Sequence, residues 1–272
     1  MSITKGVWCS LITPFKENLE VDWDAAREYV SRLNQYDFAG FLVGGSVGEG
    51  LLLSPEEVQQ YVNLIKKIST KPIMVGIIDF NFARAALKCG IEADSILATT
   101  CIYFKQHSQA TIEYFKEISK AIGKKDLVLY NNSGRVGVNL NHDIYSSLYE
   151  IENIVGVKEC DSDKFDEYSH KFTNWGWFTG NDDYLVNRFF MNGPAHGIIS
   201  TICSIAPQLA IDCWKKRDED QCSEWLELCN HAYSIPNPLA VKQMLAKWGI
   251  IKPFVRAQFN PLPIFDCEYE AI

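Results

Sequence analysis

Short hydrophobic runs alternate along the chain with longer stretches whose apolar side chains recur at helical spacing, and that alternation predicts the architecture. Strands are predicted at Val7–Thr13, Gly40–Gly44, Ile73–Ile78, Ser95–Thr99, Leu127–Tyr130, Ile154–Lys158, Trp177–Thr179 and Gly197–Thr201. A helical pattern follows each of them. The first runs from Asp22 to Asn34, with Trp23, Ala26, Tyr29, Val30 and Leu33 on one face. The second has an explicit start, with Ser54 as N-cap, Pro55 at the first helical position and Glu57 placed to complete a capping box. Further helices are predicted at Phe82–Lys88, Gln109–Ile122, His142–Glu150, Lys164–Thr173, Tyr184–Met191 and Pro207–Arg217.

The strand bodies are nearly continuous hydrophobics, as expected of parallel strands covered by helices. Eight strand–helix units in about 215 residues predict a closed (β/α)8 barrel of the TIM type. No linker rich in Gly, Ser or Pro divides them. The expectation is one domain, with a catalytic barrel over 1–217 and C-terminal helices over 218–272 packed on it. The helical patterns at Gln221–Tyr233 and Leu239–Trp248 suit a cover for the barrel or a subunit contact.

Composition narrows the class. Of 272 residues, 47% are hydrophobic and 22% charged, which excludes a disordered or fibrous chain. The net charge of −8 argues against a protein that coats nucleic acid or an anionic membrane. No apolar run approaches the ~18 residues of a membrane helix, and Met1-Ser2-Ile3-Thr4-Lys5 is no signal peptide, so a cytoplasmic location is expected. Nine cysteines without a C-x-x-C pair read as reduced, mostly buried thiols. Five scattered histidines show no metal spacing, and no metal is predicted.

In such a barrel, chemistry sits where strands end. Lys158 closes Ile154-Val155-Gly156-Val157, so it points into the barrel mouth, where desolvation favours a neutral, nucleophilic amine able to form a Schiff base with a ketone; the alternative is a surface lysine paired to Glu159. Tyr130 ends Leu127-Val128-Leu129 and is either a proton shuttle or an aromatic cap. The loop after it carries Arg135, a guanidinium fork for a carboxylate. The Gly44–Gly50 loop, with Ser46, is a short carboxylate cradle or a tight turn; it is neither a P-loop nor a dinucleotide fingerprint. Gly180-Asn181-Asp182-Asp183 offers two acids that bind a cation or, as the better expectation, cap the following helix.

Taken in order, these segments resemble the pyruvate-dependent Schiff-base lyases and synthases, the family of dihydrodipicolinate synthase and N-acetylneuraminate lyase. The likeness spans nearly the whole chain. It rests on Leu11–Phe15, Gly45–Glu49, Tyr130-Asn131 with Arg135 and Gly137, Gly156–Glu159, Gly180–Asp182, Gly197–Ser200 and Asn237–Lys242. The resemblance implies that Lys158 forms the imine with pyruvate, that Tyr130 is the general acid/base and that Ser46 relays protons. It implies that Ser46 and Val47 hold the pyruvate carboxylate, that Ile199 and Gly180 line the substrate pocket, and that Arg135 binds the second substrate. Neither metal nor organic cofactor is implied. Arg135 favours condensation of pyruvate with L-aspartate-4-semialdehyde, a lysine and diaminopimelate step. The Gly44-Gly45-Ser46 run leans toward a lyase acting on N-acetylneuraminate or a 2-keto-3-deoxy acid, and a weakened, ligand-binding barrel is a third reading. The resemblance also implies a homo-oligomer, dimer or tetramer. The chain departs from the synthase pattern at Val47, where a threonine is usual, and at Phe104, where a second tyrosine is usual unless Tyr103 replaces it. Gly50, Pro55 and Val58 replace residues usual in lysine-inhibited members, so no inhibition by lysine is expected.

Overall fold

The computed structural model describes residues 3–77, 85, 90–186, 194–216 and 219–256. Strands β1 (Gly6–Ser10), β2 (Gly40–Val43), β3 (Ile73–Ile77), β4 (Ser95–Thr99), β5 (Asp126–Asn131), β6 (Ile154–Glu159), β7 (Gly176–Thr179) and β8 (Gly197–Ser200) pair in parallel, in chain order. β8 returns to β1, with Trp8 opposite Ile199, and closes the (β/α)8 barrel that the hydrophobic pattern predicts.

Strand side chains alternate between two faces, so each strand supplies two layers. The inward set includes Trp8, Leu42, Met74, Leu97, Val128 and Phe178, which fill the barrel with a compact apolar plug. The outward set, including Cys9, Phe41, Val75, Leu129 and Val157, is buried under the helices. On β6 the inward register passes through Gly156 and arrives at Lys158, the partner of Tyr130 across the ladder. A lysine therefore stands on top of the plug because of strand parity alone.

The helices follow from local chemistry. α1 (Trp23–Leu33) starts on Asp22, which accepts from the Ala25 amide, and buries Ala26, Tyr29, Val30 and Leu33. α2 (Pro55–Lys66) has the full capping box, with Ser54 Oγ accepting from Glu57 N at 3.1 Å and Glu57 Oε2 accepting from Ser54 N at 2.9 Å. α3 is Ser108–Ile122, α5 is His142–Leu148, α6 is Phe165–Lys171 and α7 is Pro207–Lys216. The helix predicted at Phe82–Lys88 lies outside the described residues, apart from position 85. Of the one predicted at Tyr184–Met191, only a 3-10 turn at Asp182–Val186 is described. One short helix is additional: α4 (Ser133–Val136), in what reads from sequence as a loop.

Two further helices, α8 (Glu219–Ala232) and α9 (Leu239–Lys247), follow the eighth unit. α9 is anchored by a fully buried ion pair, Lys242 Nζ to Glu49 Oε1 at 2.5 Å. The other Glu49 oxygen accepts from the Arg256 amide at 2.7 Å, and the Arg256 guanidinium forks onto Glu57 at 2.6 and 2.8 Å. Burial pushes the Lys242 ammonium down to about 8, with Glu49 opposing. The C-terminal segment is thereby bolted to the loop between β2 and α2. Among the described residues no helix is long and apolar enough to cross a membrane.

Candidate active site

Lys158 and Tyr130 meet at the C-terminal mouth of the barrel. Lys158 is only 7% exposed, its Nζ lies 4.6 Å from the centre of the Tyr130 ring, and it makes no ion pair among the described residues. The alternative pairing with Glu159 is excluded by parity, since neighbouring residues on a strand face opposite ways. Glu159 points outward and accepts from Asn131 Nδ2 (2.8 Å), Tyr145 OH (3.0 Å) and the Asp161 amide (2.7 Å). Burial pushes its carboxyl up to about 8.

Glu159 nevertheless serves the mouth indirectly. The residue it fixes, Asp161, accepts from the Ser133 amide at 3.0 Å and from Ser133 Oγ at 2.9 Å. Those bonds pin the first residue of α4, the single turn that carries Arg135. Gly137 ends the turn with φ 72°, a left-handed position that glycine adopts without strain. This explains the unpredicted helix: its stabilising partner lies 28 residues away in sequence. The Arg135 guanidinium is exposed and makes no ion pair among the described residues.

Two adjoining lobes open above the plug, of about 380 and 630 Å³. Ser46, Tyr130, Asn132, Arg135, Lys158 and Asn237 line both, which places Lys158 at their junction. The larger lobe is apolar, with Leu42, Ile77 and Leu97 in its wall. The smaller is polar and adds Val47, Gly180, Asp183 and Tyr233. Ser46 and Val47 sit in a turn closed by Glu49 N donating to Ser46 O, and their own amides make no hydrogen bond among the described residues. They form a free pair of donors beside an amine, as an anion cradle requires. Thr13 Oγ1 donating to Gly48 O at 2.7 Å holds this turn from β1's side. Gly50 is obligatory here, because any Cβ would collide with the Gly44 carbonyl.

Tyr130 is held by Asn132 Nδ2, which donates to its oxygen at 3.1 Å, and among the described residues no acceptor takes the phenol's own proton. Gly180 is a close-approach position: a Cβ there would lie 2.6 Å from Lys158 Cε and against Cys160 Sγ. Ile199 is 1% exposed and belongs to the apolar layer that packs with Tyr130, under the cavity rather than on its wall.

Of the acids after β7, Asp182 departs from the capping expectation. Asp182 is 1% exposed and turned inward, accepting hydrogen bonds from Ser200 Oγ and Tyr233 OH. Two hydroxyls, one on β8 and one just past α8, hold its carboxyl instead. Tyr233 carries no sequence signal beyond its place at the end of the predicted Gln221–Tyr233 helix; only the packing of α8 brings it to the mouth.

Comparison with known proteins fits this geometry. Residues 3–263 match the Dihydrodipicolinate synthetase family. The chain belongs to that family. A 4-hydroxy-tetrahydrodipicolinate synthase of Staphylococcus saprophyticus is 28% identical over 263 residues, covering 91% of this chain and 88% of its own. One from Pelagibacter ubique is 31% identical over 220 residues, covering 78% and 74%. The crystal structure of a chloride-inhibited dihydrodipicolinate synthase from Acinetobacter baumannii complexed with pyruvate superposes with a TM-score of 0.83 at 26% identity, covering 96% of this chain and 94% of that one. The family's fold, a parallel eight-stranded barrel, is the fold described above.

Proposed function

We propose that the protein is a 4-hydroxy-tetrahydrodipicolinate synthase that joins pyruvate to L-aspartate-4-semialdehyde through an imine on Lys158. The observation that carries this reading is a buried lysine without an ion pair among the described residues, 4.6 Å from the ring of Tyr130, at the end of β6. The pyruvate bound to the Acinetobacter enzyme and the shared name of the relatives support the substrates.

The chemistry follows from the placement. Pyruvate's carboxylate enters the Ser46–Val47 cradle, which presents its ketone to Lys158. The amine adds to the carbonyl carbon, and Tyr130, whose proton is free, protonates the departing hydroxyl so that water leaves an iminium. The Ser46 hydroxyl, which lines both lobes, relays protons between Tyr130 and the substrate. The iminium acidifies the neighbouring methyl group, and loss of its proton gives an enamine. Arg135 holds the second substrate's carboxylate through a planar fork, orienting the aldehyde toward the enamine carbon. After the carbon–carbon bond forms, the product's amino group attacks the imine carbon and frees Lys158. Gly180 makes room for the lysine stem, and Ile199 supports the Tyr130 ring from below.

In this reading the barrel over 1–217 and the helices over 218–272 act as one unit in the cytoplasm. A homo-oligomer, dimer or tetramer, is supported by exposed Leu51, Leu52, Tyr103 and Phe104, and sedimentation of the purified chain checks it. The activity test is a coupled assay with both substrates. Pyruvate- and semialdehyde-dependent product formation is expected; turnover of a sugar acid in its place would overturn the assignment.

A further inference from the structure

The cavity that holds Lys158 carries a second phenol, and a buried acid stands behind it. Tyr233, just past α8, lines the polar lobe together with Lys158, Tyr130 and Arg135. Its hydroxyl donates to Asp182 Oδ2, while Ser200 Oγ donates to Oδ1 of the same carboxyl. The Asp182 backbone carbonyl accepts from Trp225 Nε1 at 2.7 Å, so α8 fixes both partners of the pair at once. Burial pushes the Asp182 carboxyl up, against the pull of its two hydroxyl donors and of Lys158.

Among the described residues, Tyr130 and Tyr233 are the two phenols on the polar lobe's wall, and they are wired differently. Tyr130 accepts from Asn132 and has a proton to give. Tyr233 gives its proton to a buried carboxyl and therefore has an oxygen lone pair to offer the cavity. The first arrangement suits an acid; the second suits a base with a proton store behind it.

We propose that Tyr233 is a second catalytic acid–base group of this site, exchanging protons between the substrate and Asp182. The proposal rests on the Schiff-base reading above and adds a role to it. When the iminium methyl is deprotonated, its C–H electron pair becomes the enamine double bond and the C=N electrons move to nitrogen. The proton goes to the Tyr233 oxygen as the Tyr233 hydroxyl proton passes to the Asp182 carboxylate. When the enamine carbon bonds to the aldehyde carbon, the C=O electrons become an alkoxide. Tyr233 protonates that oxygen and recovers its own proton from Asp182. One proton is taken and one returned, so no co-reactant is required.

The test separates this role from that of Lys158. With the parent enzyme, borohydride and pyruvate first establish the Lys158 adduct; its absence refutes the Schiff-base reading, independently of Tyr233. Exchange of pyruvate methyl protons for deuterium, followed by proton NMR without aldehyde, then reads enamine formation alone. Tyr233→Phe removes one oxygen and is expected to leave the Lys158 adduct intact while methyl exchange and kcat each fall on the order of 100-fold. Asp182→Asn is expected to give the same pattern. Parental exchange and kcat in folded Tyr233→Phe overturn the proposal. So does a parallel loss of adduct and exchange, which marks a strut. Should Tyr233→Phe fail to fold, as read by thermal melting, Asp182→Asn decides by the same criterion, and failure of both to fold assigns the pair to structure and overturns the proposal.

Discussion

At the scale of single residues, adjacent side chains on β6 do opposite jobs because the strand turns them to opposite faces. Lys158 faces the cavity; Glu159 faces the helices and, through Asp161, steadies the turn that carries Arg135. Three predictions belong here. Gly180→Ala inserts a methyl 2.6 Å from Lys158 Cε, so it is expected to abolish borohydride trapping of pyruvate while the fold, read by circular dichroism, survives. Arg135→Ala is expected to leave the pyruvate adduct intact and lower kcat/KM for the semialdehyde about 100-fold, the value of a charge-assisted fork of ~3 kcal/mol; an unchanged kcat/KM would favour a sugar-acid lyase. Glu159 holds its proton up to about pH 8 when folded and only to about 4.5 in the ordinary state. The folded chain therefore binds more protons between those values, and stability falls as pH rises through that window. Glu159→Gln is expected to shrink the drop in Tm between pH 5 and pH 8. Lys158, Tyr130, Arg135 and Ser46 were legible because strand ends and a turn are local features. Tyr233 and the inward aim of Asp182 were not, since both depend on where α8 settles.

At the scale of elements, the strand cores and the cap of α2 were legible from hydrophobic runs and the Ser54-Pro55-Glu56-Glu57 sequence. The strand ends were less so. β1 stops at Ser10 although the apolar run continues to Ile12: Leu11 N still donates to Leu42 O of β2 at 2.9 Å, but the Ile12 carbonyl accepts from Tyr61 OH at 3.0 Å and Thr13 turns to grip Gly48. α4 exists through a bond from another strand's loop, which periodicity cannot report. The bond that matters most between elements is Lys242 to Glu49, joining α9 to the cradle loop across 193 positions. Replacing one partner strands a buried charge, so Lys242→Met is expected to cost about 3–5 kcal/mol in denaturant unfolding. The double variant Lys242→Met with Glu49→Gln is expected to recover part of that loss; a further loss would contradict a charge-pairing origin.

At the scale of the whole molecule, a barrel packed with apolar side chains offers little room for chemistry except on its rim. The C-terminal segment completes one side of that rim. It supplies Tyr233 and Asn237 to the cavity wall and anchors the anion cradle through Lys242. The family likeness was legible in ordered motifs along the chain; the partnership between barrel and extension was visible only in three dimensions. The chemistry turns on one amine. Borohydride reduction in the presence of pyruvate, followed by peptide mass spectrometry, is expected to place a single reduced adduct on Lys158. An adduct on any other lysine, or none, would contradict it.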